Sequence, residues 1–222
     1  MQLQNMTKNR YSDEDCAAVY RAIYQRRDMR HFLPDPIAPE QLLRLLNAAH
    51  HAPSVGFMQP WRFVRISCPD LKVAIHALVE QERLLTAQAL NEREDEFMRL
   101  KVEGILECPE LLIAALSEQR EQHVFGRRTL PEMDLASLAC AIQNMWLAGR
   151  AEGIGLGWVS MFEPEALKTL LQMPEGSQPF AVLCLGHVAE FYDKPMLEQQ
   201  QWADRKDLKD LLFENVWNTP CR

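Results

Sequence analysis

Apolar residues recur at helical spacing near the start of the chain. A cap-like Ser12 precedes them, and their spacing predicts an amphipathic helix over about 13–25. Pro39 suits the first turn of a second helix, which is rich in leucine and ends before Pro53. Two helices joined by a proline-rich turn therefore open the predicted fold.

Two longer stretches also show helical periodicity. The first runs from Pro69 to about Gly104, and its charged residues 91–96 form either a solvated helix face or a break in the helix. The second, 134–151, is apolar on several sides, which is typical of a buried central helix, and Gly153 fits its C-terminal cap. Helix is therefore expected to exceed strand.

Four shorter segments have the length and apolar composition of strands. They are 61–67, 111–116, 155–161 and 180–188, with a short helix over 164–171 between the last two. The segment 111–116 is also compatible with a buried helix. The pattern predicts an α+β fold in a single domain over 1–222, because no repeat, low-complexity tract or long linker divides the chain.

The chain from Asp193 onward carries several large apolar residues. They are Trp202, Leu208, Leu211, Phe213 and Trp217. We expect this segment to be packed, and a partner subunit is one surface that it can pack against.

Composition is that of an ordinary globular protein. Of the 222 residues, 47% are hydrophobic and 25% are charged, which argues against a disordered chain, a collagen-like repeat and a disulfide-built miniprotein. The formal net charge of −7 provides no global basic field for nucleic acid or an anionic membrane. Any anion-binding site must therefore be local.

Several motifs are missing from the sequence. The six cysteines form no C-x-x-C pair and the N-terminus lacks an apolar signal core, so we expect reduced thiols in a cytoplasmic protein. No apolar run approaches the roughly 18 residues of a membrane span. There is no phosphate-loop, H-E-x-x-H or G-x-S-x-G motif, and the histidines lack a recognised metal spacing. We expect no metal, no membrane contact and no nucleic-acid partner.

The densest positive charge lies just after the first predicted helix, where Arg26, Arg27 and Arg30 surround Asp28. Guanidinium groups bind a phosphate monoester through paired, charge-assisted hydrogen bonds, whereas arginines at a helix C-terminus can simply complement the helix dipole. Asp28 is either a salt-bridge partner of these arginines or a proton acceptor inside a cationic pocket.

Two further segments are candidate binding elements. The loop 52–61 has the composition either of a binding loop or of a plain connector. Gly153, Gly155 and Gly157 do not fit the dinucleotide fingerprint, because a helix precedes them and a strand follows. They favour close passage of the backbone beside a flat ligand, with Ser160 just beyond, although Ser160 is alternatively an ordinary strand hydroxyl.

The order and spacing of these segments from about residue 15 to 215 resemble the flavin-binding pattern of the nitroreductase superfamily. Within it, the chain resembles the 5,6-dimethylbenzimidazole synthase, or BluB, family in RRDMR, APSVGFMQPW, LKVEGI, QNMWLAGRAEGIGLGWVSMF and CLGHV. Asp28 and Phe57 stand where ordinary nitroreductases usually have Ser and Asn. The resemblance is therefore more specific than the superfamily.

The resemblance implies a homodimeric α+β flavoprotein with a mainly antiparallel central sheet flanked by helices. Its subunits are domain-swapped or intertwined, and FMN lies at the subunit interface. The resemblance also implies an enzyme that uses molecular oxygen to break reduced FMN down to 5,6-dimethylbenzimidazole, the lower ligand of vitamin B12, and D-erythrose 4-phosphate. FMN is then a substrate in cobalamin biosynthesis, and a separate NAD(P)H-dependent flavin reductase is its expected source.

The same resemblance assigns roles to individual residues. Asp28 and Ser160 are the implied catalytic residues, with Asp28 transferring protons and Ser160 orienting the flavin or the oxygen. The implied FMN contacts are Arg26, Arg27, Asp28, Met29, Arg30, Ser54, Gly56, Met58, Gln59, Leu100, Gly157, Ser160 and Arg205. The arginines are expected on the phosphate and ribityl chain, and Leu100 in a lid over the ring.

Two other functions fit the same fold. An NAD(P)H-dependent nitro or quinone reductase would recycle bound FMN, and a flavin-binding or storage protein would hold FMN without turnover. The fold alone does not choose, since one scaffold hosts many functions. Asp28, Phe57 and the wider motif match favour the synthase.

Overall fold

The computed structural model describes residues 9–221. They form two compact units, one ending at Phe191 and the other beginning at Tyr192. The expectation of a single domain over 1–222 stays a prediction. In the described part of the chain, no helix has the length and apolar character needed to cross a membrane.

A four-stranded sheet is the centre of the first unit. Its strands are β1 (Trp61–Arg65), β2 (Glu110–Leu116), β3 (Ile154–Val159) and β4 (Gln178–His187). Their order is β1-β2-β4-β3, and every neighbouring pair is antiparallel. The predicted α+β class, antiparallel sheet and four strands are therefore confirmed, with strand ends that differ from the sequence prediction by one to two residues.

The helices of this unit follow the predicted order. They are α1 (Asp13–Gln25), α2 (Pro39–His50), α3 (Pro69–Ala89), α4 (Glu94–Met98), α5 (Met133–Ala151) and α6 (Pro164–Leu170). Gly153 has the left-handed φ of +75° expected of a residue that ends α5. The helical stretch predicted from Pro69 to about Gly104 is broken within 91–96, which confirms the second of the two alternatives for that charged run: left-handed Asn91, with φ +48°, interrupts the helix. Only the predicted end at Gly104 is wrong, because α4 ends at Met98.

β2 shows how the sheet is covered on both faces. All of its residues are buried. Leu112 and Ala114 pack in a cluster with α2 and α5, whereas Leu111 and Ile113 pack in a cluster with α3 and α6. Because successive strand residues point to opposite faces, a strand between two helical layers is apolar throughout. This explains why the sequence shows a continuous apolar run there.

The central helix α5 and the first helix α1 differ in burial. α5 buries residues on several sides, including Leu138, Ile142 and Met145, which confirms the predicted central helix. α1 buries none of its residues, although it is amphipathic. Val19, Tyr20, Ile23 and Tyr24 are exposed on it. Within residues 9–221, the apolar face of α1 is therefore uncovered.

The second unit contains a short helix, α7 (Met196–Gln199), and a 3-10 turn at Leu208–Asp210. Leu208, Leu211 and Trp217 are exposed, with Trp217 83% accessible. Trp202 and Phe213 are half-buried, and the Phe213 and Trp217 rings lie 5.4 Å apart. Packing against a partner subunit stays a prediction.

Candidate functional site

The segment that follows α1 lies beside β3 in an extended conformation. Asp28 forms a parallel bridge with Leu156, and the Met29 N–H donates to the Leu156 carbonyl at 3.0 Å. The indole N–H of Trp146, on α5, donates to the Arg27 carbonyl at 3.0 Å. The backbone of the RRDMR motif is therefore held by both the sheet and the central helix.

Asp28 and Arg30 form a two-point ion pair, in which each terminal guanidinium nitrogen donates to a different carboxylate oxygen. The Trp158 N–H donates to Asp28 Oδ1 at 2.9 Å. Arg30 also donates to the Trp158 and Met29 carbonyls, both at 3.1 Å. Its side chain is only 9% accessible, whereas that of Asp28 is 40% accessible. The Asp28 carboxylate is thus held by buried groups on one side and remains accessible to solvent on the other.

Arg26 and Arg27 have different surroundings from Arg30. The Arg26 guanidinium lies over the Trp146 ring, 4.4 Å from its centroid, as a cation–π contact. Arg27 donates to the Tyr24 and Arg26 carbonyls, each at 2.7 Å. Both side chains are half-buried. The three arginines therefore do not share one structural role, and their predicted contacts with the FMN phosphate stay predictions.

Two glycines of β3 allow the segment after α1 to approach the sheet. A Cβ on Gly157 would lie 2.3 Å from the Met29 carbonyl oxygen, and one on Gly155 would lie 3.1 Å from Cγ of the Met29 side chain. From the sequence, we interpreted these glycines as allowing the backbone to pass close to a flat ligand. In the fold, the close neighbour of Gly157 is the backbone at Met29, and its contact with FMN stays a prediction.

Ser160 is the first residue beyond β3 and is exposed. Among the described residues, its side chain makes no hydrogen bond. Since Asp28 is held by the N–H of Trp158, only two residues earlier, both predicted catalytic residues lie at the same end of β3. An open carboxylate and an open hydroxyl are the groups that proton transfer and ligand orientation require.

The loop between α2 and β1 has an unusual backbone. Gly56, Phe57 and Gln59 all have left-handed φ values of 49° to 55°. Ser54 Oγ accepts from the Gln59 N–H at 3.1 Å, which closes the loop on itself. Such conformations are costly for residues other than glycine and are concentrated at binding sites. The binding-loop interpretation is therefore favoured over a plain connector.

Ser137 on α5 anchors this loop, and sequence reasoning missed it. Its buried hydroxyl accepts from the Val55 N–H at 3.0 Å and donates to the Met133 carbonyl at 2.6 Å. No local signal distinguishes this serine from any other polar residue in an apolar helix. The anchor depends on the packing of the loop against α5.

A second loop, 117–132, packs against the first. A Cβ on Gly56 would lie 2.9 Å from the Phe125 carbonyl. Buried Asp134 accepts from Arg120 at 2.9 Å and from Arg127 at 3.0 Å, so this ion pair network holds the second loop to the start of α5. From the sequence, an aspartate in the first turn of a helix predicts only a favourable interaction with the helix dipole. It does not predict an ion pair with two arginines of a loop.

The remaining predicted FMN contacts lie in separate places. Met58 and Gln59 are half-buried in the first loop. Leu100 follows α4 and is 5% accessible, and its carbonyl accepts from Arg83 at 3.2 Å. Arg205 belongs to the second unit, where it is exposed and lines a shallow pocket with Pro195. The lid role of Leu100 and the phosphate role of Arg205 stay predictions.

All six cysteines are free thiols, as predicted. Cys108 and Cys184, which is part of β4, are both buried in the cluster that packs against α3 and α6. A hydrogen bond with the Cys184 side chain lowers the pKa of the Cys108 thiol, whereas burial raises the pKa of the Cys184 thiol well above its ordinary value. Cys184 is therefore an inert part of the core.

The sequence pattern of the Nitroreductase family matches residues 23–187 of this chain. The 5,6-dimethylbenzimidazole synthase of Rhodospirillum rubrum is 40% identical to it over 188 residues, which cover 83% of this chain and 89% of the relative.

Two solved structures share the fold of this chain. A BluB-like flavoprotein from Clostridium difficile superposes with a TM-score of 0.69 at 17% identity, covering 89% of this chain and 99% of that one. Oxidized iodotyrosine deiodinase bound to FMN and 3-iodo-L-tyrosine superposes with a TM-score of 0.66 at 22% identity, covering 85% and 95%. The predicted nitroreductase-like fold is confirmed.

Proposed function

Because this chain belongs to the nitroreductase family, and within it to the family of the 5,6-dimethylbenzimidazole synthases, we propose that it converts reduced FMN and molecular oxygen into 5,6-dimethylbenzimidazole and D-erythrose 4-phosphate. It is an oxidoreductase of that family. In the proposed reaction FMN is a substrate, and a separate NAD(P)H-dependent flavin reductase supplies it in reduced form.

The observation that carries this proposal is the setting of Asp28. Arg30 and the Trp158 N–H hold its carboxylate at the end of β3, while 40% of the side chain stays accessible. A group that accepts a proton must be oriented towards its substrate and still be reachable. Asp28 meets both requirements, and the Ser160 hydroxyl lies at the same strand end.

The residues around Asp28 fit a flavin phosphate ester. Arg26 and Arg27 bring positive charge to one end of the segment, where they can attract a phosphate. The loop 54–59 brings backbone groups and the Gln59 side chain to a surface beside α5, and Ser137 keeps it in place. When bound, reduced FMN supplies both the electrons for oxygen and the carbon skeleton of the product. The protein binds it, orients it and moves protons at Asp28.

We also propose that the protein is a homodimer. α1 exposes Val19, Tyr20, Ile23 and Tyr24 on one amphipathic helix, and the second unit exposes Leu208, Leu211 and Trp217. Exposed apolar residues grouped on one helix face are typical of a subunit interface. Sedimentation velocity tests this proposal, with Ile23→Asp expected to yield monomers and Val73→Asp, at an isolated exposed position on α3, expected to leave dimers. Dimers of equal stability in Ile23→Asp would contradict it.

The activity is tested by a single-turnover experiment. Purified protein is mixed with chemically reduced FMN without oxygen, air is admitted, and the products are separated by chromatography and identified by mass spectrometry. We expect 5,6-dimethylbenzimidazole. Recovery of intact oxidised FMN alone from folded protein would overturn the proposal.

A negative result would also separate the two alternative functions. Rapid NAD(P)H oxidation with bound, recycled FMN would indicate a nitro or quinone reductase. Tight FMN binding without any turnover would indicate a storage protein. The protein should be assayed with FMN alone and with NAD(P)H present, so that the three functions give different products.

A further inference from the structure

Two helical residues and one loop residue form a polar cluster away from the residues assigned to the reaction. His76 and Glu80 lie one turn apart on α3, so both side chains lie on the same helix face. Glu103 lies in the segment between α4 and β2. One potential ligand atom from each of the three residues lies within 4.8 Å of the other two.

We propose that His76, Glu80 and Glu103 bind one divalent metal ion of the Zn²⁺ class. Zn²⁺ is typically bound by a tetrahedron of nitrogen and oxygen ligands at about 2.0 Å, which places neighbouring ligand atoms about 3.3 Å apart. His76 Nε2 and Glu103 Oε1 are already 3.7 Å apart. Small side-chain movements would therefore complete three corners of the tetrahedron, with water at the fourth.

The carboxylates of Glu80 and Glu103 each accept hydrogen bonds from groups outside the cluster. Arg83 lies 3.4 Å from each oxygen of Glu80, and the Ile105 N–H donates to Glu103 Oε2. Arg83 is itself held by the Met98 carbonyl at 2.7 Å. Metal-binding carboxylates are usually oriented by such hydrogen bonds. The cluster therefore has the ligands and the supporting groups of a preorganised site.

The chemistry of the ligands selects the class of ion. The two partly buried carboxylates of the cluster lie beside one positive charge, that of Arg83. A dication would compensate the remaining repulsion between Glu80 and Glu103. An imidazole ligand favours Zn²⁺ and its neighbours over Ca²⁺ or Mg²⁺, which prefer oxygen alone.

Binding at this site would connect α3 to the segment that supports Arg30. Gly104, next to Glu103, lies so close to that segment that a Cβ there would be 2.7 Å from the Arg30 carbonyl. The metal would thus stabilise the region behind the Asp28–Arg30 pair. It takes no part in proton transfer, and the expectation that the reaction itself needs no metal stays a prediction.

The test is calorimetric titration of Zn²⁺ into chelator-treated protein, without FMN, at a pH above the ordinary pKa of histidine. We expect one saturable site per chain in the wild type and in His123→Ala, a control at an exposed histidine. His76→Ala and Glu103→Gln should each bind at least about tenfold more weakly. The glutamine oxygen can still accept from the Ile105 N–H, so Glu103→Gln tests the site even if His76→Ala misfolds.

Two results would overturn the inference. One is a calorimetric result: no saturable Zn²⁺ binding in the wild type, or binding in His76→Ala and Glu103→Gln as tight as in the wild type. The other is a thiolate charge-transfer band on Co²⁺ substitution, which would place the metal on cysteine. Since neither FMN nor oxygen is present, this test fails or succeeds independently of the proposed reaction.

Discussion

The Met29 carbonyl oxygen lies only 2.3 Å from the position that a Cβ on Gly157 would occupy. Real side chains do not approach a backbone oxygen this closely, so only glycine permits the contact. The Arg30 guanidinium lies 2.9 Å from the same position. Gly157 therefore determines how closely the residues on either side of Met29, Asp28 and Arg30, approach β3.

We expect Gly157→Ala to destabilise the protein and to reduce product formation together. Overpacking of a dense interior usually costs about 1 to 3 kcal/mol, and here the displaced segment carries Asp28. Urea unfolding and the product assay measure the two effects. Gly153→Ala is the control, because a Cβ there meets nothing within 4 Å, although its φ of +75° costs about 1 to 2 kcal/mol. Product yield that falls equally in both variants would contradict the positioning role.

Asp28→Asn should bind reduced FMN yet form little 5,6-dimethylbenzimidazole. Asparagine keeps an acceptor for the Trp158 N–H but cannot accept the proton that a carboxylate takes up. General acid–base groups typically contribute about 100- to 10,000-fold to rate, and a loss of that size is expected in single-turnover product analysis.

The matched control for Asp28→Asn is Asp35→Asn, which removes the same charge from an exposed position. Near-ultraviolet circular dichroism should show that both variants are folded, since Asp28→Asn removes the carboxylate partner of buried Arg30. Wild-type product yield in Asp28→Asn would exclude Asp28 as the proton-transfer group.

Ser137→Ala should weaken FMN binding by loosening the loop 54–59. The change removes the acceptor for the Val55 N–H, and an unsatisfied buried donor costs about 1 to 3 kcal/mol. Fluorescence titration of FMN measures the affinity and urea unfolding measures the stability. Ser12→Ala removes a helix cap at the start of α1 and is expected to cost about 1 kcal/mol of stability. If FMN affinity changes as much in Ser12→Ala as in Ser137→Ala, the anchor has no specific role.

Glu152 should contribute to stability at neutral pH and lose that contribution in acid. Hydrogen bonds from Arg44, at 3.0 and 2.6 Å, lower the pKa of Glu152 below its ordinary value of 4.5. A carboxyl whose pKa is lower in the folded state stabilises the fold above the unfolded pKa and loses this effect as pH falls through the folded pKa.

The difference in unfolding free energy between the wild type and Glu152→Gln should therefore shrink between pH 7 and pH 3. Chemical denaturation at both pH values measures it. The difference at pH 7 should also be smaller in high salt, because the Arg44 side chain is 58% exposed and screening weakens exposed ion pairs. A difference that grows on acidification would show that Arg44 does not stabilise the Glu152 carboxylate.

Sequence alone predicted the order of the long helices and of the four strands, and it identified the segments 26–30 and 52–61 as candidate site elements. Hydrophobic periodicity reports which face of each element is apolar, and that is a local property. It placed α1, α2 and α5 almost to the residue. It left a solvated helix face and a break as alternatives for 91–96, because a left-handed residue inside a charged run has no apolar signal.

Three-dimensional packing was needed to show how Asp28 is held, why Gly157 is glycine, and that Ser137 anchors the loop 54–59. The hydrogen bond from Trp158 to Asp28 joins residues 130 positions apart, and the one from Val55 to Ser137 joins residues 82 positions apart. Composition and spacing do not encode such pairs, because they depend on how the segment after α1 and the loop 54–59 pack against β3 and α5. The cluster of His76 and Glu80 with Glu103 arises in the same way, since α4 and its turns bring a distant carboxylate back to α3.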